Sequence, residues 1–234
     1  MAAPMKKSTL LLVALVMAGV VSVGYAIPVQ VATRAALGAN DFKDWATLGP
    51  SGTNLTNPFT TTTNGGLSFT ESQASHFSMR VNQGSGWNGN FAPGDALLFT
   101  DGPFGPITID FATAILGVGF QIQANTVNNT PFTATLTAFD SMGNMLGSPF
   151  MVAGISNNAA DNSAPFLGIL DTLPEISRIV FDTDGQGGFA INLMSIRTAP
   201  AASVPESGAS GLLLGLACVG LFLAQRCGKR RRFA

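Results

Sequence analysis

From residue 96 onward the chain is a succession of short runs in which apolar and polar positions alternate. In residues 107–111, Ile107, Ile109 and Phe111 share one face while Thr108 and Asp110 share the other. In 116–123, Leu116, Val118, Phe120 and Ile122 oppose Gly117, Gly119, Gln121 and Gln123. In 132–139, Phe132, Ala134, Leu136 and Ala138 oppose Thr133, Thr135 and Thr137. A period of two built from Thr, Val, Ile and Phe predicts half-buried antiparallel strands. The run 189–196 is apolar on both sides, which predicts a more central strand. Turn residues separate these runs: Asp140-Ser141-Met142-Gly143-Asn144 in one place and Gly185-Gln186-Gly187-Gly188 in another. Pro165 and Pro174 bracket 166–171, which suits an edge strand or a loop between sheets. Only 31–37 carries a hint of helical period. Roughly eight to ten short strands at regular spacing predict an all-β, antiparallel β-sandwich of jelly-roll type.

The two ends break this pattern. Lys6 and Lys7 precede an uncharged apolar run, and Gly24-Tyr25-Ala26 closes it with small residues. That is the layout of a cleavable signal peptide, so 1–26 is expected to be removed by signal peptidase. At the other end, 207–225 contains no charged residue, and Arg226, Lys229, Arg230, Arg231 and Arg232 follow it. A helix over 207–225 is just long enough to cross a ~30 Å hydrocarbon core. The cations after it hold the tail 226–234 in the cytoplasm and place the preceding domain outside. The organisation expected is therefore a signal helix, 1–26; a Thr-, Ser-, Asn- and Gly-rich part of the exported domain, 27–95; core strands, 96–198; a linker, 199–206; a transmembrane helix, 207–225; and the basic tail.

The string Val204-Pro205-Glu206-Ser207-Gly208, followed by an apolar helix and a terminal arginine cluster, resembles a bacterial sorting signal of the PEP-CTERM class and its VPDSG-type variant. Glu206 stands where the variant has Asp, and Ser207 replaces the second Pro of the commoner form. The resemblance implies cutting near the motif by a membrane peptidase, exosortase, after which the protein resides in the envelope or outside the cell. Residues 96–198 also resemble the exported domain of many such proteins, which in turn resembles carbohydrate-binding jelly rolls. Their last strand often reads Phe-Ala-Ile-Asp-Asn-hydrophobic; this chain has Phe189-Ala190-Ile191-Asn192-Leu193, without the Asp.

Composition narrows the chemistry. Only 11% of the chain is charged, against about a quarter in average soluble chains, which excludes long helices laced with ion pairs. Between the two ends stand five bases, Arg34, Lys43, Arg80, Arg178 and Arg197, against twelve acids. Such a surface repels phosphate, so nucleic acid is not an expected partner. Cys218 and Cys227 both lie in the terminal segment, so the exported region has no thiol for catalysis or metal binding. The single histidine, His76, would have to serve any Ser-His-Asp triad, yet no Gly-x-Ser-x-Gly elbow occurs. The expected protein is not an enzyme.

Two binding candidates stand out. Asp182 and Asp184, two residues apart before a glycine-rich turn, could gather oxygen ligands for calcium, or serve only as turn formers. Trp87, with Asn88 and Asn90 in a Gly- and Asn-rich loop, could stack on a sugar ring beside amide groups, or pin its own loop to the core. The function expected is that of an exported, envelope-sorted, structural or adhesive component of the surface or extracellular matrix. Its alternatives are a calcium-assisted carbohydrate-binding module that takes extracellular polysaccharide and, third, a glycan hydrolase.

Overall fold

Described in the computed structural model are residues 27–200, apart from 75, 103, 104, 127, 128, 185 and 186. The expected signal peptide 1–26, the motif at Val204 to Gly208, the expected transmembrane segment 207–225 and the basic tail lie outside them. Among the described residues no helix is long and apolar enough to cross a membrane.

The strands are β1 (Val29–Val31), β2 (Asp41–Lys43), β3 (Thr53–Asn54), β4 (Phe59–Thr62), β5 (Ser68–Gln73), β6 (Met79–Gln83), β7 (Gly86–Trp87) and β8 (Ala96–Phe99). They continue as β9 (Ile107–Ile115), β10 (Gly117–Ala124), β11 (Thr130–Phe139), β12 (Phe150–Ser156), β13 (Phe166–Leu170), β14 (Ile176–Thr183), β15 (Phe189–Ile191) and β16 (Met194–Arg197). One short helix, α1 (Arg34–Leu37), and one 3-10 helix (Trp45–Leu48) complete the described elements. Thr33 starts α1 by accepting the Ala36 N–H on its hydroxyl, and Gly38 ends it in the left-handed region.

Two sheets form. The larger runs β1-β13-β10-β15-β8-β6-β3, with β16 joining β10 to β2 and β7 lying beside β6; the smaller runs β12-β11-β14-β9-β5-β4. The alternation at 107–111 and 132–139 becomes β9 and β11 of the smaller sheet, with the apolar sets facing inward. Between the sheets Phe120, Phe181 and Phe189 stack in succession at centroid distances of 4.6 and 5.8 Å. Each such buried ring contributes about 2–3 kcal/mol of transfer free energy before its ordering cost.

Three expectations change. The segment bracketed by prolines is no edge: β13 lies between β1 and β10, because β1 folds back and covers it. The glycine-rich turn after β14 is not a hairpin, since β14 and β15 belong to different sheets. The run 116–123 is not half-buried; β10 is covered on both faces. Its glycines explain why. A Cβ on Gly119 would lie 2.6 Å from the Phe166 ring and 2.8 Å from Gly168 Cα. The polar-looking face is a slot into which Phe166 drops, and Arg34 caps that ring at 5.8 Å. Replacing Gly119 with valine is expected to cost about 1–3 kcal/mol by overpacking; an unchanged denaturant midpoint would contradict the slot.

A second, smaller core sits at Val81, Trp87, Phe91, Leu97 and Phe99, fed by the inner positions of β6 and β8 and by the loop after β7. It matters for the site.

Candidate functional site

The loop that follows β7 is glycine- and asparagine-rich because it must turn tightly and supply its own hydrogen bonds. Gln83 does part of this work, donating to the Gly89 carbonyl at 3.0 Å and accepting the Gly89 N–H at 3.1 Å. Asn90 does more. Its side chain donates to Ser163 at 2.7 Å and accepts from the Asn157 N–H at 2.8 Å, and it is buried. Asn90 is thus a clamp between two loops, buried and engaged through both amide atoms rather than presented to a sugar.

Trp87 does not present an exposed face. Only 5% of it is exposed, and its ring meets Phe99 edge-on at 5.0 Å and Phe91 at 6.3 Å. The stacking platform envisaged from the sequence is replaced by an anchor in the second core. The reason is local: Gly86 precedes it and Gly89 follows, so the backbone can turn the indole inward. A Cβ on Gly89 would stand 2.5 Å from the indole Nε1.

Yet the anchor floors a cleft. An open cavity of about 640 Å³ is lined by Trp87, Asn88, Phe99, Asn125, Thr126 and Asn158. The indole Nε1, beside Gly89, and the Thr126 hydroxyl are buried without a protein partner. Asn88, Asn125 and Asn158 are exposed. The arrangement offers amide donors and acceptors around two aromatic edges, which is chemistry suited to hydroxyl-bearing ligands. Asn125 and Asn158 were not singled out in the sequence. They come from the ends of β10 and β12, and only the fold brings them to Trp87.

Asp182 and Asp184 stand apart from the cleft. Asp184 accepts the Thr133 N–H at 2.7 Å, and Asp182 accepts the Thr183 N–H at 2.8 Å. Burial pushes the Asp182 carboxyl above the usual range, partly offset by that bond. Neither lines the cleft beside Trp87. Among the described residues no group of three or more His, Cys, Asp or Glu side chains gathers. His76 is half-buried and stacks on Phe77 at 4.2 Å.

No known protein family matches the chain, and no curated protein does. Six solved chains match in structure. One is the enzymatically active domain of tailspike protein 4 of bacteriophage CBA120, at 13% identity over 56% of this chain and 19% of that one, with a TM-score of 0.29. Another is CsCBM6-3 from Clostridium stercorarium, solved with cellobiose, at 13% identity over 64% of this chain and 98% of that one, with a TM-score of 0.21. The chain spans less than a fifth of the tailspike chain's length. Likeness this slight assigns neither family nor function.

Proposed function

We propose that this is an exported, envelope-sorted, non-enzymatic surface or matrix protein, sorted through Val204-Pro205-Glu206-Ser207-Gly208, whose sandwich holds polysaccharide in the cleft beside Trp87. The observation that carries the binding reading is the open cleft that presents the exposed Asn88, Asn125 and Asn158 around the edges of Trp87 and Phe99. Successive strands from β8 to β11 cross between the sheets at every step, which supports a jelly-roll order. Calcium has no part in this reading, because neither Asp182 nor Asp184 lines the cleft beside Trp87.

Calorimetric titration of the full chain in detergent with neutral oligosaccharides tests it. Asn88→Ala combined with Asn125→Ala is expected to weaken binding about tenfold, at ~0.5–1.5 kcal/mol per lost hydrogen bond, with Tm unchanged. Added calcium is expected to leave both affinity and Tm where they were. A purely structural role is the second reading, favoured by the burial of the Trp87 ring and the use of Asn90 in the scaffold; no binding to any glycan would leave it standing alone.

A further inference from the structure

The hydrophobic side chains that the fold leaves exposed gather at one end of it. In the larger sheet the start of β1, the end of β13, the start of β10 and the end of β16 form one row. Leu170 pairs with both Val29 and Gly117, and Gly117 pairs with Arg197. In the smaller sheet β9 ends at Ile115, opposite Ile176 at the start of β14. Only Leu116 separates Ile115 from Gly117, so both rows lie at the same end of the sandwich. The turn between β11 and β12 belongs here too, since a Cβ on Gly147 would lie 3.4 Å from Ile27. Among the described residues eight large hydrophobic side chains are exposed, and five are at this end: Ile27, Val29, Met142, Met145 and Leu173. Met142 is 85% exposed and Ile27 73%.

Large apolar groups clustered on a surface mark a contact with protein or with membrane. The path of the chain decides between them. The described residues end at Pro200, just past β16 and so at this end, and the expected transmembrane segment 207–225 begins seven positions later. At ~3.3–3.6 Å per residue those positions reach at most about 25 Å. Whatever path they take, this end stays close to the bilayer that the segment enters. Its charge suits a zwitterionic surface: Asp140, Asp171 and Glu175 against Arg197 leave it slightly negative, with the Asp110–Arg178 pair behind them. Apolar insertion, not headgroup charge, is what can hold it there. The Asp140 carboxylate bends back on its own turn, accepting the Met142 and Asn144 N–H groups at 2.9 and 2.8 Å, and leaves Met142 to project.

We propose that in the membrane-anchored precursor this end of the sandwich docks on the lipid surface, with Ile27, Val29, Met142, Met145 and Leu173 seated at the boundary of headgroups and acyl chains. The proposal rests on the reading of the chain as exported and carried on a membrane span. Asn125 and Asn158 follow the far ends of β10 and β12, roughly 25 Å away at ~3.3 Å per strand residue. Docking therefore turns the cleft beside Trp87 outward.

The test places the full chain in phosphatidylcholine nanodiscs, one copy per disc, with a nitroxide on the lipid just below the headgroup or at mid-bilayer. A fluorophore is attached at Met142→Cys or at Asn158→Cys, each with Cys218→Ser and Cys227→Ser, or at the native Cys218 with Cys227→Ser. The label at 142 is expected to lose about half of its emission or more to the shallow nitroxide and the label at 158 none, at low and high salt alike. Val29→Thr with Leu173→Ser is expected to restore at least half of that loss, with Tm unchanged. A Cys218 label quenched by the mid-bilayer nitroxide beside an unquenched label at 142 would overturn the docking and leave the membrane span standing. If the Cys218 label escapes quenching, the span falls and the docking with it. Equal quenching at 142 and 158 would also overturn it, as would a blue shift at 142 seen only when several copies share a disc, which would give this end to a second copy.

Discussion

Replacing Asn192 with alanine is expected to destabilise the sandwich by about 3 kcal/mol, lowering Tm by roughly 6–12 °C. Asn192 sits, 5% exposed, in the gap between β15 and β16, two short strands that lie end to end along β10. The ladder breaks there, and the side chain repairs it. Oδ1 accepts the Gln121 N–H at 3.0 Å, while Nδ2 donates to Gln121 Oε1 at 2.5 Å and to Asp95 at 3.1 Å. The Asn192 backbone carbonyl also receives the Trp45 indole at 2.8 Å. Alanine would keep the backbone bonds and orphan a buried amide, where the cost is the full desolvation of the group left behind. Asn192→Asp is the sharper variant, since it sets a charge against Asp95 and removes both donations. Its loss is expected to equal or exceed that of alanine at pH 7 and to shrink at low pH, where the carboxyls are neutral. Denaturant melts of the two variants check this, and a loss under ~1 kcal/mol for alanine would mean that the break is held by packing alone.

Why the sequence announced some of this and hid the rest follows from what each side chain faces. In β9 and β11 one face is solvated and the other apolar, so the alternation of Ile107, Ile109 and Phe111 or of Phe132, Ala134 and Leu136 is plain. β10 was legible as a strand but not as a doubly covered one, because its second cover is Phe166 seated over glycines, and glycine looks like a break. The Thr-, Ser-, Asn- and Gly-rich stretch before residue 96 hid β3 to β7, since Thr and Ser lower the contrast on which the pattern depends. In β5 the inward set is Phe69, Glu71 and Gln73, two of them polar. For the site, the loop around Trp87 was found by its unusual composition, yet the direction of the ring depends on glycine backbone angles and on Phe99, twelve positions further along the chain.

The stability of the fold is expected to fall as pH rises from about 4.5 to about 7 and then to level off, and Glu71→Gln is expected to abolish that slope. Glu71 points between the sheets and is fully buried. Ser78 donates to its Oε1 at 2.7 Å, and Gln73 donates to Ser78 at 2.5 Å, but Glu71 Oε2 and Gln73 Oε1 have no partner. A buried carboxylate oxygen without a donor favours the protonated acid. Burial pushes the Glu71 pKa up from 4.5 to about 7, against the opposing hydrogen bonds from Ser78 and Gln73. The sign follows from which state holds the proton more tightly. Here it is the folded one, so the full stability belongs to pH values below the unfolded pKa. As pH climbs through the window the unfolded chain ionises first, and above about 7 both states are charged and the penalty is constant. At about 1.4 kcal/mol per pKa unit the penalty reaches about 3 kcal/mol. Glutamine keeps the acceptor for Ser78, adds a donor for Gln73 Oε1 and carries no charge, so at pH 8 it should raise Tm by roughly 6–12 °C while changing little at pH 4. Thermal melts of both proteins across pH 4–8 provide the measurement. Parallel curves would show that the carboxylate finds compensation when ionised, and the account of Glu71 as a neutral acid in the core would have to be abandoned.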